Sequence, residues 1–224
     1  MKNRSQKPEA RSQKAARKPQ KPPAPPLLIL ISAPSGAGKT TLVNLLLEAQ
    51  PQMTRVITCT TREPRPGEKN GVDYHFLNAT DFLKRVQAGN FIEHATVFGN
   101  SYGILKRDLL DKLRAGKDVL LNVDVQGAAT IRAQAKTELE LHRALVTIFL
   151  TATLDLLAQR LKKRGADAEA VIQKRLATAR QEISQWKNFD YLVVSGSKEE
   201  DLRRTLAIVE SEKMRSARSA PPEF

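Results

Sequence analysis

The chain has 224 residues and a formal net charge of +13, enough for one α/β domain with a sub-domain or for two small domains. Cys59 is the only cysteine, which excludes an intrachain disulfide framework and fits a reducing compartment, and no apolar run approaches the ~20 residues of a membrane span. The charge alone points to nucleic acid, but eight Lys or Arg against one Glu fall within residues 1–26; without them the excess is about +6, which suits an enzyme of small polyanions.

Residues 1–26 also hold Pro8, Pro19, Pro22, Pro23, Pro25 and Pro26, with no large apolar residue after Met1. Such a segment cannot bury a core, so it is expected to be a disordered basic tail. It reads as a solubilising extension or as a weak electrostatic anchor for RNA, DNA or acidic lipid. Its lack of apolar residues argues against a signal or transit peptide.

Residues 27–32 (LLILIS) follow as a buried strand. They run into Ala33-Pro34-Ser35-Gly36-Ala37-Gly38-Lys39-Thr40-Thr41 and then into a helix over 39–49. Strand, Gly-rich loop and helix together make a phosphate cradle. Glycines let successive N–H groups turn inward around phosphate oxygens, and the helix adds its positive end. Lys39 reaches the terminal phosphates and the Thr40 hydroxyl can ligate Mg²⁺. The pattern G-x-x-x-x-G-K-[ST] starts here with Ala33, which costs about 1–2 kcal/mol if that position needs a positive φ.

Residues 55–100 break the strand–helix rhythm with Pro64, Pro66, Gly67, Gly71 and short alternating pieces. They read as a small β-rich insertion with one helix near 80–88, capped by Thr80. Within it, Arg62 and Arg65 form a fork suited to one phosphate, with Tyr74 able to add a hydroxyl. Further strands are expected at 118–123, 145–150 and 190–194, and helices at 105–115, 126–136, 153–164, 168–187 and 198–214. Alternation of this kind implies a parallel sheet with helices on both faces and ligands at the carboxyl ends of its strands. The charged turn 162–175 reads as a lid. His75, His94 and His142 have no metal-ligand spacing.

Five ordered motifs resemble the guanylate kinase family over nearly all of 27–210. They are the loop at 33–40; TTREPRPGEKNGVDYHF at 60–76; Phe91-Ile92-Glu93 with Gly99-Asn100-Ser101-Tyr102-Gly103; Asp124-Val125-Gln126-Gly127; and Arg160, Arg164 and Arg175. The family range at the first loop position includes Ala33.

The resemblance implies a P-loop NTPase-type three-layer α/β fold. Its core would be 27–54 and 103–210 within a domain 27–212, with a GMP-binding insertion at about 55–102, the lid, and a flexible C-terminus 213–224. It implies ATP as donor, GMP or dGMP as acceptor, Mg²⁺ as cofactor and a cytoplasmic place in purine metabolism. ATP would lie on 33–41. Arg62, Arg65, Tyr74 and Tyr102 would hold the GMP phosphate, while Thr58, Glu93 and Asp124 would read the base. Lys39, Arg62, Arg160, Arg164 and Arg175 would stabilise the transferring group. The resemblance implies no membrane partner, leaves homo-oligomers open, and limits nucleic acid to weak contacts of the tail.

Three positions depart from the family pattern. Asn122 stands where an acid usually faces the metal. Ile104-Leu105 replaces small hydroxyl residues, and Ser195-Gly196 replaces Asn-Asp. Two other readings compete: a related kinase of a phosphorylated sugar, and a non-catalytic guanylate-kinase-like binding module. Intact guanine readers argue against the first, and an intact Gly38-Lys39-Thr40 against the second.

Overall fold

The computed structural model describes residues 25–97, 99–163 and 168–218. Most of the expected tail, Arg164 and the middle of the expected lid therefore lie outside the described residues. The chain begins with β1 (Leu28–Ser32), α1 (Lys39–Ala49), β2 (Met53–Arg55), β3 (Cys59–Thr60), β4 (His75–Phe76), α2 (Ala79–Gln87), β5 (Phe91–Val97) and β6 (Asn100–Leu105). It continues with α3 (Lys106–Arg114), β7 (Asp118–Asn122), α4 (Val125–Ala135), α5 (Leu139–Ala144), β8 (Leu145–Thr151), α6 (Leu154–Lys163), α7 (Glu169–Ile183), β9 (Tyr191–Val194) and α8 (Lys198–Met214).

Five strands form a parallel sheet in the order β2-β7-β1-β8-β9. The central strand β1 is apolar on both faces because both are covered. Leu27, Ile29 and Ile31 pack with Leu42 and Leu46 of α1, Leu157 of α6, Ala179 of α7 and Val209 of α8. Leu28 and Leu30 pack on the other side with Leu109 and Leu113 of α3, Ile131 of α4 and Leu141 of α5. Each such side chain, fully buried, stabilises the fold by roughly 1.5–3 kcal/mol. The result is the three-layer α/β architecture that the sequence implies.

The insertion carries a second sheet, ordered β4-β3-β6-β5. β6 runs antiparallel to both β3 and β5, whereas β3 and β4 are parallel. Its small core is Cys59, Phe82 of α2 and Phe91 of β5, whose two rings stack at 4.6 Å. Gly103 makes room for that stack, since a Cβ there would sit 2.8 Å from the Phe91 ring.

Several local expectations need correction. The cap of α2 is Asn78, not Thr80: extended Asn78 accepts from the Asp81 N–H at 2.8 Å, so Thr80 already lies inside the helix. The helix expected over 168–187 ends at Ile183 and is followed by a 3₁₀ turn at Trp186–Asn188. The expected flexible terminus starts too early, because Lys213 of α8 pairs with buried Asp118 and Arg218 hydrogen-bonds buried Glu212. β2 and α5 were not expected; three and six residues are too short to show a period.

Candidate active site

The loop at 33–40 leaves the carboxyl end of β1, beside the end of β7, where Ile31 pairs with Asn122. Gly36 and Gly38 adopt φ of +88° and +97°, which only glycine takes without strain, and Gly38 opens α1. α6 covers the loop closely: a Cβ on Gly36 would meet Leu161 Cγ at 3.3 Å. The Ala33 methyl is buried in the first core, while Ser35, Thr40 and Thr41 are exposed. The Pro34 carbonyl accepts from the Ala37 N–H.

Lys39 Nζ donates to the Val123 carbonyl at 3.1 Å, tying α1 to the exit of β7. Burial pulls its pKa below the ordinary lysine value, opposed by Asp124 and Glu182. Burial also raises the pKa of Glu182 on α7, which Lys39 opposes, Asp124 reinforces and the Ser35 N–H opposes. Lys39 thus feels the field of two carboxylates at a loop shaped for phosphate oxygens.

A cavity of about 330 Å³ lies against the outer side of the loop, lined by Gly36–Gly38, Thr41, Arg160, Ser195 and Asp201 among others. Arg160 donates to the Ala37 carbonyl at 3.0 Å, to Ser195 Oγ at 3.1 Å and to the Gly196 carbonyl at 3.2 Å. Ser195 Oγ donates in turn to buried Asp201 at 2.5 Å. Ser195-Gly196 therefore anchors an arginine to the loop. Of the three expected arginines, Arg160 meets the loop, Arg175 is half-buried on α7, and Arg164 lies outside the described residues.

A second cavity, of about 380 Å³, opens between the insertion and β7 and is lined by Thr58, Tyr74, Glu93, Tyr102, Ile104, Asn122 and Asp124 among others. Ile104, where a hydroxyl was missing, is buried beneath it. Asp124 caps α4 by accepting from the Gly127 N–H at 2.8 Å. Burial, and then Asp124, push the Glu93 carboxyl up to about 7. Asn122 is exposed at the end of β7.

Beside this cavity, Arg62 lies over the Tyr74 ring at 5.4 Å, and Tyr74 meets Tyr102 edge-on at 6.4 Å. Arg62 binds both oxygens of Glu68, at 2.9 and 3.0 Å, and Glu68 also accepts from the Arg65 N–H. One terminal guanidinium nitrogen serves both oxygens of an anion, and the other is held by the Glu63 carbonyl at 2.6 Å. The structure thus brings Arg62, Tyr74 and Tyr102 together, whereas Arg65 is exposed and meets Glu68 through its backbone.

Sequence reasoning missed Glu68, Glu182 and Asp201. Glu68 is a fixed position of the matched stretch at 60–76, so its signal was present. Glu182 and Asp201 had none, as ordinary acids on charged helices.

A family model described as guanylate kinase matches residues 26–212. The chain is 46% identical over 192 residues to a guanylate kinase of Alcanivorax borkumensis, covering 85% of this chain and 89% of that one. It is 43% identical over 188 residues to one of Coxiella burnetii, covering 84% and 88%. A crystal structure of a guanylate kinase from Anaplasma phagocytophilum superposes with a TM-score of 0.65 at 32% identity, covering 87% of this chain and 90% of that one. With the phosphate loop, the paired carboxylates and the anchored arginine in place, the chain belongs to the guanylate kinase family.

Proposed function

We propose that the chain transfers the γ-phosphoryl group of ATP to GMP, and to dGMP, as a step in purine nucleotide recycling. One observation carries this reading: Lys39 joins a phosphate loop to a cavity that holds two carboxylates, Glu93 and Asp124. Guanine N1–H and its 2-amino group donate to such acceptors. Adenine lacks both donors and leaves the carboxylates unpaired, which supports rejection by as much as ~10⁴-fold.

ATP lies along 33–41 with its base toward the cavity beside Arg160. The GMP phosphate displaces Glu68 from Arg62 and takes further contacts from Arg65, Tyr74 and Tyr102, while Thr58 meets the base edge. A phosphate oxygen of GMP attacks the γ-phosphorus in line, so no protein nucleophile is required. Lys39, Arg62, Arg160, Arg164 and Arg175 then offset the negative charge of the transferring group. The insertion 55–102 holds the acceptor, the core 27–54 and 103–210 the donor, and 162–175 closes over both.

Among the described residues no cluster of three His, Cys, Asp or Glu could hold a metal. That suits Mg²⁺, which binds nucleotide phosphates and water with few protein ligands. The Thr40 hydroxyl and the Asn122 side-chain oxygen are the fitting protein donors. When bound, the ion would neutralise phosphate charge. Buried Cys59 fits a cytoplasmic setting, and no helix among the described residues is long and apolar enough to cross a membrane.

A coupled ADP-release assay with GMP, dGMP, AMP, IMP and ribose bisphosphate tests the reading. GMP and dGMP are phosphorylated and AMP is not. Turnover of the sugar alone would replace this reading with a sugar kinase, and no turnover at all with a binding module.

A further inference from the structure

We propose that the chain carries a second anion site, remote from the phosphate loop, that takes a diphosphate group. It is a cavity of about 440 Å³ where Leu145, Thr147 and Asp190, at the amino ends of β8 and β9, meet the last turns of α4, α5 and α8. The phosphate loop leaves the opposite ends of the same sheet. β1 and β8 run in register from Leu28 with Leu145 to Ser32 with Phe149, which separates the two places by roughly 13 Å at 3.3 Å per residue.

Arg132, Lys136, Arg143, Arg215 and Arg218 line this cavity. Cations at helix C-termini ordinarily serve the carbonyl ends, each worth roughly half a charge. That role accounts for Arg218, which donates to the carbonyls of Arg143 and Leu145 and to Glu212. Glu212 also accepts from Arg215. Asp190 is committed to the N–H and hydroxyl of Thr147. The acids on or beside α5 bind elsewhere, Glu138 to Lys106 and Glu140 to Arg114. Five cations thus face two committed carboxylates and three helix ends, which leaves a surplus of about 1.5 positive charges.

Arg132 marks where an anion would sit. Its guanidinium lies over the Phe189 ring at 4.8 Å, and its Nη1 is buried without a hydrogen-bond partner. Burial lowers its pKa, with Asp190 opposing from nearby. A buried guanidinium N–H lacking an acceptor is costly, and a small shift of the Arg132 side chain that brings this N–H to an oxyanion in the cavity relieves that cost. Two linked phosphates, with oxyanions at both ends, suit cations that line the cavity from three helix ends, and their charge exceeds the local surplus, so binding draws on all of these cations.

The test is calorimetric titration of inorganic pyrophosphate into the full chain, without divalent cations, with both substrate cavities saturated by ADP and GMP. One pyrophosphate binds per chain. Arg132→Gln weakens it at least tenfold. The double variant Lys136→Ser, Arg143→Ser, which alters only exposed side chains, also weakens it at least tenfold and leaves the rate of GMP phosphorylation unchanged. Arg107→Ser on α3 removes a similar charge elsewhere and leaves pyrophosphate affinity unchanged. A parallel titration with UDP distinguishes the sources: tighter binding than pyrophosphate assigns a nucleotide and weaker binding the free anion, and both support the site. No binding in the presence of ADP and GMP, or equal affinity in the two cavity variants, overturns it.

Discussion

Glu93 rests directly on Gly127: a Cβ at Gly127 would lie 3.2 Å from both Cγ and Cδ of the glutamate. The missing side chain lets the carboxylate approach the first turn of α4, which Asp124 caps. Two acids from separate elements therefore share one cavity because a helix position between them is empty.

Gly127→Ala pushes Glu93 away from this position by a few tenths of an ångström. The KM for GMP is expected to rise about tenfold, since loss of alignment at a proposed guanine acceptor weakens binding and orientation. The KM for ATP stays within about twofold. Alanine in a helix is favoured over glycine by roughly 1 kcal/mol, so thermal stability is not expected to fall much. Steady-state kinetics with each substrate varied in turn check this, and an unchanged KM for GMP refutes the steric role of Gly127.

The raised Glu93 carboxyl sets a pH dependence. If Glu93 accepts from guanine as proposed, GMP takes the ionised form, so GMP binding is expected to expel a proton and kcat/KM for GMP to fall as pH drops below about 7, toward tenfold per unit. Stability of the free protein runs the other way. The folded state holds the Glu93 proton more tightly than the unfolded chain, so this group's contribution falls as pH rises from about 4.5 to about 7. Glu93→Gln removes both dependences and raises the KM for GMP. A kcat/KM profile with no break near 7 in the unsubstituted protein contradicts the assignment.

Asn122→Asp adds a negative charge at the exposed end of β7, within the cavity that holds Asp124. The expected result is a lower Mg²⁺ concentration at half-maximal rate, or a higher kcat. A Mg²⁺ titration that does not move excludes position 122 from the surroundings of the metal.

Asp201→Ala removes the acceptor of the Ser195 hydroxyl and of the Gly196 N–H. Each donor left unpaired costs about 1–3 kcal/mol, and Arg160 loses the anchor that holds it to Ala37. The chain becomes less stable in urea, and the KM for ATP rises several-fold while the KM for GMP is little changed. An equal effect on both substrates shows a general loss of structure instead.

The phosphate loop was legible because everything that defines it is contiguous. Strand, glycines, lysine and helix follow one another, and each acts on its neighbours through local geometry. The same holds for β1, β7, β8 and β9, whose burial on both faces writes itself as an apolar run. Asn78 beneath α2 was misread because two cap-forming residues, Asn78 and Thr80, lie within one turn; only the backbone chooses between them.

By itself, the sequence determined the three-layer fold, the phosphate loop and the motif positions that carry the guanylate kinase resemblance. Tertiary structure alone decided how those pieces are set against each other. Lys39 meets Val123 across 84 residues, and Arg160 meets Ser195 across 35. Glu182 enters the field of the loop only because α7 folds back over it, and Gly127 matters only because β5 delivers Glu93 onto it. Charge, burial and steric fit act through space over a few ångströms, so partners far apart in sequence carry no local pattern to read.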